Sequence, residues 1–369
     1  MVGLDPAGER AEVSARSPGS TWLVAAADTF MDSASILVMD TSLHPSQTPP
    51  QAPGRRYGLH MDQTYNGTAS VRAAAIAAAR SLEADVSRNS LNWAYIEPQR
   101  AQMDWRIPDA VVDDLNAAGI EPLLVLVGSP SWATGVPTTR HGYEFHVPTD
   151  ELAFTNWLEA YRLWAREAAL RYRGRVRLWE LWNEPNEVYF WKPQPNVERY
   201  ARWYTAVHQV IKEVDPEAEV AMGGLAGLVA GCCITGRDFL RGLWKLGVRP
   251  EIVNIHPYAL KDQAPDQLIV GEGNFGDIAS IRELMIAHGE GGAKLWVTEW
   301  GWRSSVVGET KQASYVSQSL ALLDSLYTYV TLATYFIDSD RGGYTQGLFR
   351  SDFTPKAASH VFRDFMTRH

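Results

Sequence analysis

Two glutamates stand where apolar runs of the sequence end. Glu184 lies in LWELWNEPN (178–186) and Glu299 lies in VTEWGW (297–302), each close to tryptophan. A carboxylate at the end of a buried strand is costly unless something there pairs with it or uses it. Two carboxyl groups at one site could divide the roles of proton donor and nucleophile between them.

Three further polar residues end apolar runs at what would be the same level. Arg88 ends the second run, and His256 and Tyr258 end the sixth. A single glutamate at a strand end is more often a structural salt-bridge partner than a catalyst. Two glutamates flanked by tryptophan, with an arginine and a tyrosine at the same level, favour a catalytic site.

Eight strand-like apolar runs, each followed by an amphipathic helical stretch, position these residues. Strands buried on both faces of a parallel sheet read as continuous apolar runs, and eight such units in about 310 residues predict a TIM (β/α)8 barrel, an α/β fold. A doubly wound open sheet is the alternative. It would usually show a Gly-rich phosphate turn after an early strand, and none is present. The runs are 57–60, 85–93, 122–129, 176–183, 219–225, 252–258, 294–302 and 331–340.

The first 55 residues differ in composition from the rest. Pro-, Ser- and Gly-rich stretches predict that residues 1–55 form a poorly ordered leader or linker and that residues 56–369 form the barrel domain. Asp28 and Asp32 interrupt the apolar stretch 22–40, which makes it a poor membrane helix and a weak signal peptide. An unusual leader remains the alternative.

Composition and charge argue against several function classes. The net charge is -9, with 34 Lys+Arg against 43 Asp+Glu and no basic run, so neither a nucleic-acid partner nor membrane insertion is expected. Cys232 and Cys233 are adjacent and cannot staple distant segments. The histidines lack metal-ligand spacing, so we expect no catalytic metal and no cofactor. Nothing in the sequence indicates an oligomeric state.

From Tyr57 to the C-terminus the chain resembles the retaining glycoside hydrolases with an (α/β)8 barrel, which place the acid/base and the nucleophile after strands 4 and 7. The resemblance is greatest to family 39, with family 5 next, and WNEPN is its most specific motif. The matching segments are SRNSLNWAYIEPQRAQMDW (87–105), GSPSWA (128–133), WNEPN (182–186), HPY (256–258), TEWGW (298–302) and QGLFRSDFTPKAA (346–358).

The resemblance and the chemistry of glycoside hydrolysis together assign a role to each polar residue at the predicted strand ends. Glu184 would be the acid/base and Glu299 the nucleophile, the two carboxyl groups that glycoside hydrolysis needs. Arg88 would hold the charge of the nucleophile and Tyr258 would orient it. Asn183 would bind the sugar 2-hydroxyl, and His256 would tune the site from beside Tyr258.

Aromatic residues near the ends of the runs have two open interpretations. They could stack on the sugar, or they could pack in the core or in loops. The substrate-binding candidates are Trp93, Trp132, Trp300 and Trp302, with Trp191 in the loop after the fourth run. Strand 8 of the related enzymes often carries a tryptophan under the sugar. Here Tyr335 and Phe336 stand at that place, so we expect a different floor to the sugar site.

The resemblance implies a retaining β-glycosidase that cleaves O-glycosidic bonds of a β-linked poly- or oligosaccharide through a covalent glycosyl-enzyme. A transglycosidase using the same site and a catalytically inactive carbohydrate-binding barrel remain alternatives. Exo-acting β-xylosidase or β-glucosidase activity and endo-acting cleavage of a polysaccharide both remain open, with endo action slightly favoured because no added β-rich domain is visible. Such a substrate would favour an extracellular location.

Overall fold

The computed structural model describes residues 54–62, 67–137, 143–227, 234–259, 262–267 and 273–368, together with four N-terminal strands. The chain divides into two compact units, Met1–Pro50 and Gln51–His369. In the first unit Val2–Leu4 pairs with Ala11–Val13 and Gly19–Ala27 pairs with Phe30–Val38, both antiparallel. The leader or linker role of residues 1–55, and the barrel boundary at residue 56, stay predictions.

The second unit contains a closed barrel of eight parallel strands that are neighbours in the order in which they occur along the chain. The predicted TIM (β/α)8 fold is therefore confirmed, and each predicted run overlaps one strand. The fold could be predicted from local sequence, because each run is apolar on both faces and is followed by a helix that covers the outer face of its strand. The strands are β1 (Arg56–His60), β2 (Val86–Asn92), β3 (Glu121–Val127), β4 (Leu178–Asn183), β5 (Glu219–Ala226), β6 (Ile252–His256), β7 (Lys294–Val297) and β8 (Val330–Tyr335).

One long helix follows each strand. Asp150 caps the longest of them by accepting a hydrogen bond from the Ala153 amide, and Gly119 takes the left-handed conformation expected after the helix ending at Ala117. None of the described helices has the length and apolar character needed to span a membrane. The helices are α1 (Ala69–Ser81), α2 (Arg106–Ala117), α3 (Glu151–Tyr172), α4 (Val197–Val214), α5 (Gly236–Lys245), α6 (Asp277–Ala287), α7 (Glu309–Ser325) and α8 (Ala357–Met366).

The barrel interior changes from apolar to polar along the strands. Because side chains of a strand alternate between its two faces, a residue two positions after an inward-facing residue also faces inward, one layer nearer the carboxyl end. Two positions beyond four members of the apolar layer stand the buried polar residues Arg88, Glu180, Asn254 and Thr298. The apolar layer consists of Val86, Leu123, Leu178, Ala221, Ile252, Trp296 and Leu332.

Barrel closure joins the first strand to the last. β8 pairs in parallel with β1, with Tyr335 opposite Leu59. Just before β1, the buried guanidinium of Arg55 donates hydrogen bonds to the carbonyl oxygens of Val330 at 2.8 Å and Leu323 at 2.6 Å. This arginine therefore connects the entry of β1 to the end of α7 and the start of β8.

Candidate active site

Arg88 is the centre of a buried ionic network. It lies inside β2, with 1% of its surface exposed, and not at the strand end where the sequence placed it. Its Nε and Nη2 donate to the two carboxylate oxygens of Glu180 at 2.7 and 2.8 Å. Its Nη1 donates to Glu299 Oε1 and to His60 Nδ1, each at 2.6 Å. Such a bidentate contact fixes the guanidinium plane and leaves its other edge for Glu299.

Glu299 stands two residues beyond β7 and receives hydrogen bonds from two side chains. Arg88 binds Oε1, and the hydroxyl of Tyr258, two residues beyond β6, donates to Oε2 at 2.8 Å. A cation and a hydroxyl that both donate to a carboxylate stabilise its ionised form. Burial and the neighbouring Glu299 raise the pKa of Tyr258 well above its ordinary value, so Tyr258 stays a donor.

Glu184 follows β4 directly, and its surroundings differ from those of Glu299. Its side chain is 15% exposed, and its Oε1 lies 2.8 Å from His256 Nδ1. Burial raises its pKa to about 7; the charge of Arg88 lowers it and that of Glu180 raises it further. At neutral pH this carboxyl group therefore exchanges readily between its acid and its base form.

The backbone around Glu184 is unusual. Trp182 has a φ of 76° and Glu184 a φ of 43°, left-handed values that non-glycine residues rarely adopt. The Glu184 amide donates to the Gly224 carbonyl of β5 at 3.0 Å, which holds the turned chain in place. Strained residues of this kind cluster at functional sites, because a regular strand would aim the side chain elsewhere.

His256, the last residue of β6, is fully buried beneath Glu184. Its Nε2 lies 3.0 Å from the hydroxyl of Thr298. Burial lowers the pKa of His256 to about 4; Glu299 acts to raise it and Arg88 to lower it, so the ring is neutral at neutral pH. The ring lies against Gly224, where an added Cβ would be 2.1 Å from Nε2.

The two glutamates share one cavity of about 730 Å³ at the carboxyl end of the barrel. Of the residues predicted from sequence to bind substrate, Asn183, Tyr258 and Trp302 line it, whereas Arg88 and His256 lie beneath it. Its aromatic wall comes mostly from residues that the sequence analysis did not assign to substrate. These are Phe145, Tyr189, Phe190 and Tyr344, and they are joined by Phe336, which stands where the sequence analysis expected a different floor.

Trp93 and Trp300, two of the predicted substrate-binding residues, are both completely buried in this structure. Trp93 packs edge-on against Trp132, and its Nε1 donates to Glu97 at 2.8 Å. Trp300 packs edge-on against Tyr335, with ring centroids 4.8 Å apart. Neither indole has a face that a sugar could reach.

Two other tryptophans also pack against protein and do not line the cavity. Trp132 is partly exposed, but its Nε1 donates to the Glu97 carbonyl and it does not line the cavity. Trp191 is buried among Trp182, Tyr200 and Trp203. Packing is thus the interpretation that holds for most of these residues, and Trp302 alone among the four substrate candidates reaches the cavity wall.

The sequence analysis missed His60 and Glu180. Glu180 stands two residues after the inward-facing Leu178, so strand alternation alone could have placed it inside the barrel. His60 was considered there only as a metal ligand. Because Arg88 can only donate to its Nδ1, the Nε2 of His60 carries the proton and lies 2.9 Å from Asp62.

One group among the described residues has the composition and spacing of a metal site. An oxygen of Glu184, an oxygen of Glu299 and a ring nitrogen of His256 all lie within 4.8 Å of one another. Hydrogen bonds engage all three side chains, and the two glutamates line the cavity while His256 lies beneath it. The absence of a catalytic metal and of a cofactor stays a prediction.

Cys232 and Cys233 lie outside the described residues. The prediction that the two thiols staple no distant segments is therefore not addressed by the structure.

The chain matches a family model, "Glycosyl hydrolases family 39", over residues 93–285. A curated relative, "Beta-xylosidase" from Geobacillus stearothermophilus, is 25% identical over 285 residues, which are 70% of this chain and 55% of that protein. The chain thus spans little more than half the length of this relative.

Solved structures share the barrel. A family 39 glycoside hydrolase from Bacteroides cellulosilyticus WH2 has a TM-score of 0.66 at 19% identity, with 95% of this chain and 71% of that chain covered. A monomeric beta-xylosidase from Caulobacter crescentus CB15 has a TM-score of 0.63 at 20% identity, with 84% and 69% covered. At these identities the likeness concerns the fold.

Proposed function

The chain belongs to glycosyl hydrolase family 39, and on that premise we propose that it hydrolyses the O-glycosidic bonds of a β-linked carbohydrate with retention at the anomeric carbon. One observation carries the proposal: an oxygen of Glu184 and an oxygen of Glu299 lie within 4.8 Å of each other. Retaining enzymes hold their carboxyl groups about 5–5.5 Å apart, whereas inverting enzymes need about 6.5–9.5 Å to admit a water.

The first step uses the different surroundings of the two carboxyl groups. The ionised Glu299 attacks the anomeric carbon and forms a C–O bond, while the bond to the leaving oxygen breaks. Glu184 gives its proton to that oxygen, so the aglycone departs as an alcohol. The pKa of Glu184, raised to about 7 by burial, keeps the proton available near neutral pH.

The second step reverses these roles. Glu184, now a carboxylate, takes a proton from a water molecule whose oxygen attacks the anomeric carbon. The bond between that carbon and Glu299 breaks, and Glu299 leaves as a carboxylate. Two inversions give net retention, and Glu184 ends the cycle protonated.

Binding would come from the cavity wall. Asn183 Oδ1 accepts a hydrogen bond from Arg88 at 2.8 Å, which leaves its amide NH2 as a donor for the sugar 2-hydroxyl. Phe336 contacts both His60 and Tyr258 edge-on and stands where related enzymes often carry a tryptophan. Trp302 and the other aromatic residues of the cavity wall supply further apolar surface for sugar C–H groups.

We propose short β-linked oligosaccharides, with β-xylosides to be examined first, as the substrate class. The cavity volume falls within the range of small-ligand sites. Two relatives carry the name β-xylosidase. A panel of aryl β-glycosides and β-linked polysaccharides separates this class from β-glucosides and from endo action, and an added sugar acceptor separates hydrolysis from transglycosylation.

Stereochemistry tests the mechanism. In an early proton NMR time course on an aryl β-xyloside, or on the best substrate of the panel, the β-anomer of the product should form first and the α-anomer should follow by mutarotation. Immediate α-product would overturn the covalent mechanism. Glu299→Ala is the control: it should fold but not turn over, and azide should restore turnover by forming a glycosyl azide of inverted configuration.

A further inference from the structure

Both ring nitrogens of the buried His256 make hydrogen bonds. Nδ1 lies 2.8 Å from Glu184 Oε1, and Nε2 lies 3.0 Å from Thr298 Oγ1. A neutral imidazole donates from one nitrogen and accepts at the other, so the direction of one contact determines the direction of the other. The hydrogen-bond partner at Nε2 therefore determines whether Nδ1 donates a hydrogen bond to Glu184 or accepts one from it.

Asn254 decides the direction at Thr298. The Thr298 hydroxyl lies 3.0 Å from Asn254 Oδ1, an atom that can only accept, so the hydroxyl donates there. The Asn254 amide cannot be turned over, because its Nδ2 donates to the Met222 carbonyl at 3.3 Å and a flip would oppose two oxygens. With its proton engaged, the Thr298 oxygen must accept from His256 Nε2.

We propose that Asn254 and Thr298 are positioning residues that hold His256 as the Nε2–H tautomer, so that Nδ1 accepts a hydrogen bond from the protonated carboxyl of Glu184. The relay runs Asn254, Thr298, His256, Glu184 and crosses from β6 to the segment after β7 and back. It deepens the proposed function, since it has catalytic value only if Glu184 is the acid/base.

The relay would serve both steps of the reaction. Before substrate binds, Nδ1 accepts a hydrogen bond from the protonated carboxyl group of Glu184 and directs it; in the first step the same proton passes to the leaving oxygen. Once Glu184 is ionised, it meets a lone pair on Nδ1 in place of a donor, which favours recapture of a proton from water. The other titratable groups around His256 are Arg88, Glu180, Glu299 and His60, and burial keeps the His256 ring neutral among them.

The tautomer can be observed without any substrate. Long-range proton–nitrogen NMR spectra of the full chain labelled with 15N-histidine distinguish the two neutral forms, and a His256→Asn variant assigns the signal. The Nε2–H form should persist between pH 5 and 8. An Nδ1–H form, or an imidazolium in that range, would overturn the relay whether or not the protein hydrolyses glycosides.

Thr298→Val tests the relay through activity. The methyl group cannot accept from Nε2, so the Nδ1–H tautomer is no longer disfavoured and can donate to ionised Glu184. The basic limb of the pH profile of kcat/KM should then move down by about one pH unit. Activity should fall more for substrates with poor leaving groups than for activated aryl glycosides.

Two matched variants complete the test. Thr298→Ser keeps the hydroxyl and should keep the wild-type profile. Thr331→Val makes the same exchange in β8 and should leave the profile unchanged, because the buried Thr331 hydroxyl has no hydrogen-bond partner among the described residues. An equal loss on all substrates with no shift of the limb would mean a merely structural role and overturn the proposal. If Thr298→Val does not fold, the wild-type tautomer and Thr298→Ser decide.

Discussion

The two glutamates at the cavity differ because their partners differ. Arg88 and Tyr258 both donate to Glu299, whereas Glu184 meets only His256 among side chains in the described structure. Arg88 also neutralises the fully buried Glu180: burial raises the pKa of Glu180, but the Arg88 charge and hydrogen bonds outweigh it and lower the pKa. One guanidinium therefore pairs with the carboxyl groups of both Glu180 and Glu299, while Glu184 lies beside a neutral histidine.

The raised pKa of Glu184 predicts the pH dependence of activity. The acid must carry its proton when substrate binds, and its pKa stands at about 7 instead of the ordinary 4.5. We therefore expect kcat/KM to be high below pH 7 and to fall tenfold per pH unit above it. Initial rates on an aryl β-glycoside between pH 4 and 9 measure this.

The Glu184→Gln variant tests whether Glu184 causes the fall in kcat/KM above pH 7. Glutamine cannot lose a proton in this range, so the fall above pH 7 should vanish. The loss of kcat/KM should reach about 10²- to 10⁴-fold for poor leaving groups, the usual contribution of a general acid. A basic limb that survives unchanged in Glu184→Gln would assign the titration to another residue.

At the scale of the elements, β5 and β6 must approach closely to hold His256. Gly224 on β5 donates its amide to Glu180 at 3.0 Å, and its carbonyl accepts from the Glu184 amide. The His256 ring occupies the space where any larger residue would place its Cβ. The strand can bring these groups together because this position has no side chain.

Gly224→Ala should disrupt the site. Its Cβ would lie 2.1 Å from His256 Nε2 and 2.5 Å from Cδ2, and the ring is fully buried. We expect a loss of stability of about 1–3 kcal/mol from overpacking and at least a tenfold fall in kcat/KM. Thermal unfolding and steady-state kinetics measure the two effects.

Gly227→Ala is the matched control on the same segment. The nearest atom to its added Cβ would be 3.9 Å away, an ordinary contact distance. This variant should keep both the unfolding temperature and the activity of the wild type. Equal behaviour of the two alanine variants would show that the close approach at Gly224 does not constrain His256.

At the scale of the molecule, the barrel closes between its first and last strands. β1 and β8 are 274 positions apart at their first residues, Arg56 and Val330, so their pairing completes only when the intervening units are in place. Arg55 strengthens this junction, because its guanidinium binds carbonyl oxygens at both ends of the connection from α7 to β8.

This junction sets where the chain can be shortened. A chain beginning at Ala52 keeps Arg55 and should retain the unfolding temperature and activity of the full chain. A chain beginning at Arg56 should lose roughly 1–3 kcal/mol of stability, because buried carbonyl groups lose their donor. Denaturant unfolding of the two chains measures the difference. A collapse of activity in the chain from Ala52 would mean that residues 1–51 are needed by the barrel.

The sequence by itself determined the eight strand–helix units and the two glutamates. Each unit is encoded locally, by an apolar run followed by an amphipathic stretch, although several runs stop two to five residues beyond the end of the strand. Glu184 and Glu299 could be assigned because WNEPN and TEWGW place a carboxyl group at such an end. The same rule misplaced Arg88, because the sequence pattern is the same for an arginine inside β2 and for one at its end.

Tertiary structure alone decided which side chains reach the cavity. Trp93 and Trp300 belong to segments that resemble glycoside hydrolase motifs, yet both are completely buried, because Trp132 packs against Trp93 and Tyr335 packs against Trp300. The hydrogen-bond relay escaped the sequence for a related reason. Asn254 and Thr298 are 44 positions apart, and each is an ordinary strand residue until the closed barrel places them 3.0 Å apart. The donor–acceptor direction and the length of each hydrogen bond in a buried network depend on the register of neighbouring strands. No single segment of the sequence encodes that register.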